Sequence, residues 1–133
     1  MLFIALRNQL NLDFFAYNFS FFLFIHCSFF RHSATEEGCE LLVTVLEAKD
    51  LIIPADADPD YVDTFVRVYL VEGHESEAPQ QTKIFKNSSN PSYQEMFGFF
   101  IKTKQKIKRS LWFHLYHTNA QCTTLIGKID YKV

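Results

Sequence analysis

Five aspartates fall in a short stretch of this chain: Asp50, Asp56, Asp58, Asp60 and Asp63. Carboxylates at this density suit a hard dication, because Ca²⁺ gathers about six to eight oxygen ligands. Pro54 and Pro59 lie in the same stretch and mark it as a loop. A second concentration of charge is basic. Lys102, Lys104, Lys106 and Lys108 alternate along the chain, and Arg109 follows. In an extended segment these lysines share one face. Such a face suits anionic lipid or an acidic protein surface; a solvated loop is the plain alternative. His117 and Cys122 are zinc-ligand types but lack the partners that a tetrahedral site needs. Cys27, Cys39 and Cys122 fit no zinc spacing and read as reduced thiols of a cytosolic domain. No Ser-His-Asp order, Gly-rich phosphate loop or apolar-pocket carboxylate pair is legible. The expectation is therefore a binding module and not an enzyme.

The totals agree with one folded domain. The chain has 133 residues, of which 48% are hydrophobic and 21% charged, enough apolar material for a packed core. A net charge of −2 gives no overall attraction to nucleic acid. The charge is unevenly placed. Glu36 to Glu77 holds twelve acids against Lys49 and Arg67, and Lys83 to Arg109 holds seven bases against Glu95.

The beginning of the chain differs from the rest. Phe14 to Phe30 contains eight of the fifteen phenylalanines, interrupted by Asn18, Ser20, His26 and Ser28. A membrane span is one reading, at the short end of what crosses the hydrocarbon, with Arg31 and His32 on its carboxyl side. A strand is the favoured reading from Leu23 onward. Leu23, Ile25, Cys27 and Phe29 alternate there with Phe24, His26, Ser28 and Phe30. Residues 1–20 are expected to be a hydrophobic or disordered leader, and residues 21–133 the folded domain, clear from 38 onward.

The remainder reads as short strands between turns. Strands are expected over Glu40 to Ala48, Thr64 to Val71, Gln81 to Lys86, Tyr93 to Ile101, Leu111 to Tyr116 and Leu125 to Val133. In the second, Phe65, Arg67 and Tyr69 face one way and Val66, Val68 and Leu70 the other. In the fifth, Leu111, Phe113 and Leu115 point inward. Strands at this spacing without a helical pattern predict an all-β sandwich or barrel.

At Asn90-Pro91-Ser92-Tyr93-Gln94-Glu95-Met96-Phe97 the sequence resembles the C2 domains of the synaptotagmin type. Leu41 to Leu51 is similar to that family's second strand. Asp63-Thr64-Phe65-Val66-Arg67-Val68-Tyr69-Leu70, Thr82-Lys83-Ile84 and Leu125-Ile126-Gly127 follow in the family's order. The resemblance implies an antiparallel Greek-key β-sandwich, lacking the family's last strand after Val133. It also implies where calcium would bind, and there the chain departs. Asp63 matches a ligand position, and Asp56 or Asp58 a second. The third loop has His117, Asn119 and Thr124 where the family has aspartates. The residual site Asp56, Asp58 and Asp63 is expected to be non-functional. No cofactor is expected, and calcium is the one ion the loop could still contact. The family's lipid-binding lysines are replaced by Gln80 and Gln81, leaving Lys83, Lys86, Lys102, Lys104, Lys106, Lys108 and Arg109 as candidate lipid or partner contacts. The implied role is a calcium-independent adaptor in membrane trafficking and exocytosis. It would be cytoplasmic and peripheral to membranes, with an amino-terminal anchor as the variant. Its partners would be trafficking proteins or a weakly held anionic membrane. The rival roles are an accessory C2 domain of a lipid-signalling enzyme and a membrane-anchored C2 protein.

Overall fold

The computed structural model describes residues 2–8, 11–18, 21–30, 38–51, 62–102, 107–119 and 121–133; for residues 2–18 and Phe30 the backbone alone enters the description. Its strands are β1 (Leu2–Asn8), β2 (Asn11–Asn18), β3 (Phe21–Phe30), β4 (Gly38–Lys49), β5 (Asp63–Glu72), β6 (Glu75–Ser76), β7 (Gln80–Gln81), β8 (Ser92–Lys102), β9 (Arg109–Thr118) and β10 (Thr123–Lys132). One sheet runs β1-β2-β3-β4-β8. The other runs β10-β9-β5-β6, with β7 also on β5. All pairings are antiparallel. The all-β sandwich expected from the alternation is the fold observed.

Period-two patterning explains how the sheets face each other. Leu23, Ile25 and Cys27 of β3, Leu41, Val43 and Val45 of β4, and Phe97, Phe99 and Ile101 of β8 line the inner face of the first sheet. Val66, Val68, Leu70, Leu111, Phe113, Leu115 and Ile129 line the second. Each fully buried aliphatic or aromatic side chain contributes about 1.5–3 kcal/mol of transfer free energy. Leu42 and Leu46 of the same strand are half-buried. Beyond them the phase changes. The β4–β8 register shifts between Val45 and Glu47, which returns Ala48 to the interior. One extra residue reverses every side chain after it. Gln94, opposite this irregularity, has φ 52, in the left-handed region.

Three local readings change in the structure. Within the expected leader, Leu2–Asn8 pairs with Asn11–Asn18, and β2 pairs along the length of β3 from Asn11↔Ser28 to Asn18↔Phe21. The β3 edge provides the hydrogen-bonding partner that the local pattern of residues 1–20 does not reveal. Phe14 to Phe30 is thereby divided between two strands, and no helix among the described residues is long and apolar enough to cross a membrane. Gln81 to Lys86 is not one strand. It pairs with β5 at Gln80–Gln81 and again by a bridge from Phe85 to Thr64. Between them Thr82 is buried, its hydroxyl accepting from the Val66 amide at 3.0 Å.

Glycine is required at one close approach. A β-carbon on Gly38 would collide with the carbonyl oxygen of Ile101 and the ring of Phe100, so β4 can lie against the end of β8 only without a side chain there. Phe113 is fully buried in the centre of β9. Phe113→Ala is expected to cost about 3–5 kcal/mol in a denaturant titration, and an unchanged midpoint would show the β9 register to be wrong.

Candidate functional site

The start of β5, where the acidic stretch ends, and the end of β9, where the third loop begins, lie side by side at one end of the sandwich. Asp63 opens β5 and is the register partner of Thr118 at the end of β9. Its Oδ1 accepts the Asn87 amide at 3.0 Å. The ring Nδ1 of His117 lies 3.2 Å from the Asp63 main-chain oxygen, and the His117 side chain is buried. Asn119 Oδ1 accepts the amides of both Gln121 and Cys122, at 2.8 and 2.9 Å. The Asn119 amide in turn donates to the Cys122 carbonyl. Thr124 is exposed on β10, and its hydroxyl lies 3.8 Å from Cys122 Sγ. Asp56, Asp58 and Asp60 lie outside the described residues. Among the described residues no group of three or more His, Cys, Asp and Glu could hold a metal ion.

The Asn-Pro motif anchors this end. The Asp50 amide donates to Asn90 Oδ1 at 3.0 Å, and the Ala48 amide donates to the Pro91 carbonyl. Asp50 itself has φ 56, one of the few conformations in which Asp is tolerated with positive φ. Two residues on, the Tyr93 hydroxyl lies 2.6 Å from the Thr64 hydroxyl across the core. Burial pushes the Tyr93 phenol far above its ordinary range. The root of the acidic loop, the start of β5 and the start of β8 are thus held as one unit.

Among the described residues, the basic candidates do not all gather at one place. Lys86 adjoins Asn87 at the acidic end. Arg109 pairs in register with Glu72, at the opposite end of the ten-residue β5. Ten extended residues separate the two ends by about 30 Å. Arg109 is half-buried. Its Nε lies 3.3 Å from Glu72 Oε2, and its guanidinium donates to the Lys102 carbonyl at 2.7 Å. The Lys108 carbonyl accepts the amide of Gly73, whose φ of 62 turns the chain from β5 into β6. Lys102 and Lys108 are exposed, as are Lys83 and Lys86; Lys104 and Lys106 lie outside the described residues. The Lys83 main chain donates to Glu95 Oε2 at 2.7 Å, beside an open depression of about 340 Å³ lined by Ile84, Phe85 and Tyr93.

One cluster escaped the reading of the sequence as a site. On the outer face of the second sheet the Arg67 guanidinium lies over the rings of Phe65 and Tyr116, at 5.3 and 4.9 Å. Those rings stack on each other at 5.2 Å. Arg67 Nε donates to Gln81 Oε1 at 3.0 Å. Beside it, His114 packs 4.7 Å from Tyr69 and 6.2 Å from Trp112. Burial, then the charges of Lys128 and Arg67, hold the His114 imidazole below the usual histidine range. Burial, then Tyr116, raise the Tyr69 phenol. The available signal was the shared parity of Phe65, Arg67 and Tyr69 with that of Trp112, His114 and Tyr116.

Residues 39–133 match the family of the C2 domain. The chain belongs to the C2 domain family. Synaptotagmin-3 of Rattus norvegicus is 31% identical over 77 residues, covering 58% of this chain and 12% of that protein. Synaptotagmin-C of Diplobatis ommata is 31% identical over 86 residues, covering 65% and 15%. The chain therefore spans a small fraction of the length of these curated relatives. The C2-A domain of RIM from Drosophila superposes with TM-score 0.67 at 14% identity, over 85% of this chain and 86% of that one. The corresponding C2-A domain of RIM2 superposes with TM-score 0.63 at 21% identity, over 85% and 84%. The fold is that of these C2 domains, and the sequence likeness is to the synaptotagmin type.

Two outcomes test the geometry of this C2 domain. Tyr93→Phe strands the buried Thr64 hydroxyl and is expected to cost about 1–3 kcal/mol, read from the denaturant midpoint. No change would mean that the bond does not hold the two sheets. The second concerns pH. His114 has a folded pKa below its ordinary value of 6.5, so its contribution to stability is complete above that value. As pH falls through it, the unfolded chain takes the proton first and stability declines. The midpoint at pH 5.5 is expected below that at pH 7.5, with a smaller difference in His114→Gln. An equal difference in the variant would assign the effect elsewhere.

Proposed function

We propose that this C2 domain is a calcium-independent adaptor, cytoplasmic and peripheral to membranes, that serves membrane trafficking and exocytosis by meeting anionic phospholipid or a trafficking protein. The observation that carries the reading is how the oxygens of the loop end are used. A calcium cage needs about six to eight oxygens free to turn toward one point. Asp63 Oδ1 accepts a main-chain amide, Asn119 Oδ1 accepts two, and His117 brings a nitrogen where an oxygen is required. These donors do not fit the ion, so Asp56, Asp58 and Asp63 are read as a remnant.

Without calcium to bridge it, the acidic loop repels anionic lipid. The basic connection at the other end does the reverse. Lys102 and Lys108 are exposed there, and Lys104 and Lys106 lie between them in the chain. Each base near an anionic surface is worth about 1 kcal/mol within a Debye length, so the hold is loose and sensitive to salt. The synaptotagmin-type likeness supports phospholipid or protein as the partner class.

Calorimetric titration with calcium is expected to give no binding tighter than about 10⁻⁴ M. Changing Lys104, Lys106 and Lys108 together to Glu is expected to abolish low-salt sedimentation with phosphatidylserine liposomes, and changing Asp56, Asp58 and Asp63 to Asn to leave it intact. The opposite pattern would place the contact at the loops and overturn the reading.

A further inference from the structure

Strand β8 is the last strand of its sheet, and among the described residues no strand pairs with its outer edge. Such an edge offers a row of main-chain N–H and C=O groups to another chain. Gly98 shows which groups point outward, because its carbonyl accepts Gln80 Nε2 at 2.8 Å from beyond the sheet. Main-chain direction alternates along a strand, so Met96, Phe100 and Lys102 point the same way. Lys102 agrees, since its carbonyl accepts the Arg109 guanidinium. The side chains of Met96 and Phe100 are 63% and 54% exposed, more than any other large apolar side chain among the described residues. Gly98 stands between them and adds no side chain. Before Met96 the edge is not usable, because Gln94 leaves strand geometry at φ 52 and Glu95 Oε2 accepts the Lys83 amide.

We propose that this edge receives a second copy of the chain, β8 pairing antiparallel with β8 about a two-fold axis at Gly98. The usable outward positions are Met96, Gly98 and Phe100. A two-fold pairing that engages all three sets Gly98 against Gly98 of the second copy, and Met96 against Phe100 of the second copy on either side of the axis. A thioether against an aromatic ring is a favourable contact. Charge selects the direction. The start of β8 adjoins Asp50, whose amide is held by Asn90, in the stretch that contains five aspartates. Its end carries Lys102, beside Arg109 and close to Lys108. An antiparallel copy lays the basic end of each sandwich beside the acidic end of the other, whereas a parallel copy sets like against like. Two contacts oppose the union. Gln80 must release Gly98, and the Glu40 carboxylate, which lies where a β-carbon on Gly98 would stand, approaches its counterpart. Two apolar side chains and a short edge bury less than the roughly 800 Å² per partner of a standard stable interface. The dimer is therefore weak in free solution and fills where copies are concentrated, as on a membrane surface. It stands whichever partner the basic connection meets.

The full chain would be followed by sedimentation velocity at low salt from about 10 μM to about 1 mM, where a dimer with a dissociation constant of about 10⁻⁴ M is expected to fill. Phe100→Lys is expected to stay monomeric with its denaturant midpoint unchanged, since the side chain is exposed. Gln80→Ala is expected to dimerise about tenfold more tightly, because neither copy then gives up a hydrogen bond. The register is read by disulfide capture with the exposed Cys122 changed to Ser. Directly paired α-carbons lie about 5.5 Å apart, within the reach of a disulfide. A mixture of Met96→Cys and Phe100→Cys chains is expected to cross-link under mild oxidation, and neither variant by itself. A native chain that is monomeric at about 1 mM overturns the proposal. So does a dimer that persists in Phe100→Lys, which would place the contact elsewhere. Cross-linking by one variant alone overturns the axis at Gly98, and masses that grow beyond the dimer overturn the two-fold closure.

Discussion

The hydroxyls of Thr64 and Tyr93 meet at 2.6 Å where no water reaches them. Two sheets packed through aliphatic side chains attract without direction, and sliding one over the other by a residue would change the buried area little. A buried hydrogen bond between β5 and β8 removes that freedom, because either hydroxyl left alone carries the cost of its own desolvation. Its position fixes more than the sheets. Asp63 and Asn90 are close neighbours of Thr64 and Tyr93 in the chain, and each holds a loop by a side-chain bond to a distant amide. The arrangement of the acidic end follows from one point of contact in the core.

The two ends of the sandwich then acquire opposite characters. At the acidic end Asp63 and Asn119 turn their side-chain oxygens onto the chain's own amides. At the other end Arg109 holds Glu72 and the Lys102 carbonyl, so two half-buried opposite charges are matched beside the exposed Lys102 and Lys108. The outer face of the second sheet is different from both, since its cations are set by strand register and its aromatic rings limit how they move.

Much of this was legible before any coordinates. Val66, Val68 and Leu70, and Leu111, Phe113 and Leu115, alternate strictly and all lie in the core. The shift of phase in β4 was not legible, because a bulge is one residue long and leaves no mark on composition. The amino-terminal hairpin was missed for a related reason. Its strands are paired by the edge of β3, and nothing within residues 1–20 announces that edge. Among the candidate site residues, the roles of His117 and Asn119 as replacements for carboxylates came from the family likeness, and their bonds came only from the structure. The meeting of Arg67 with His114 and Tyr116 depends on register between segments far apart in the chain; parity within each strand gives the shared face but not the pairing. Asp56, Asp58, Lys104 and Lys106 lie outside the described residues, so their part in either end still rests on the sequence.

Strand order also sets a sequence of events during folding. The first four strands pair each with its successor, so this meander closes only short loops and needs nothing from the rest of the chain. In the second sheet β9 also pairs with its successor β10, and β5 with β6, but the join between β5 and β9 is non-local. Asp63 must find Thr118, and Glu72 must find Arg109, across about forty to fifty-five residues. Non-local pairing of this kind is the slow part of all-β folding. While it is pending, the apolar inner faces of β3 and β4 stand open. The interval between meander and sandwich is therefore when this chain is most exposed to wrong partners. A nascent chain leaving the ribosome would pass through that interval until β9 had emerged.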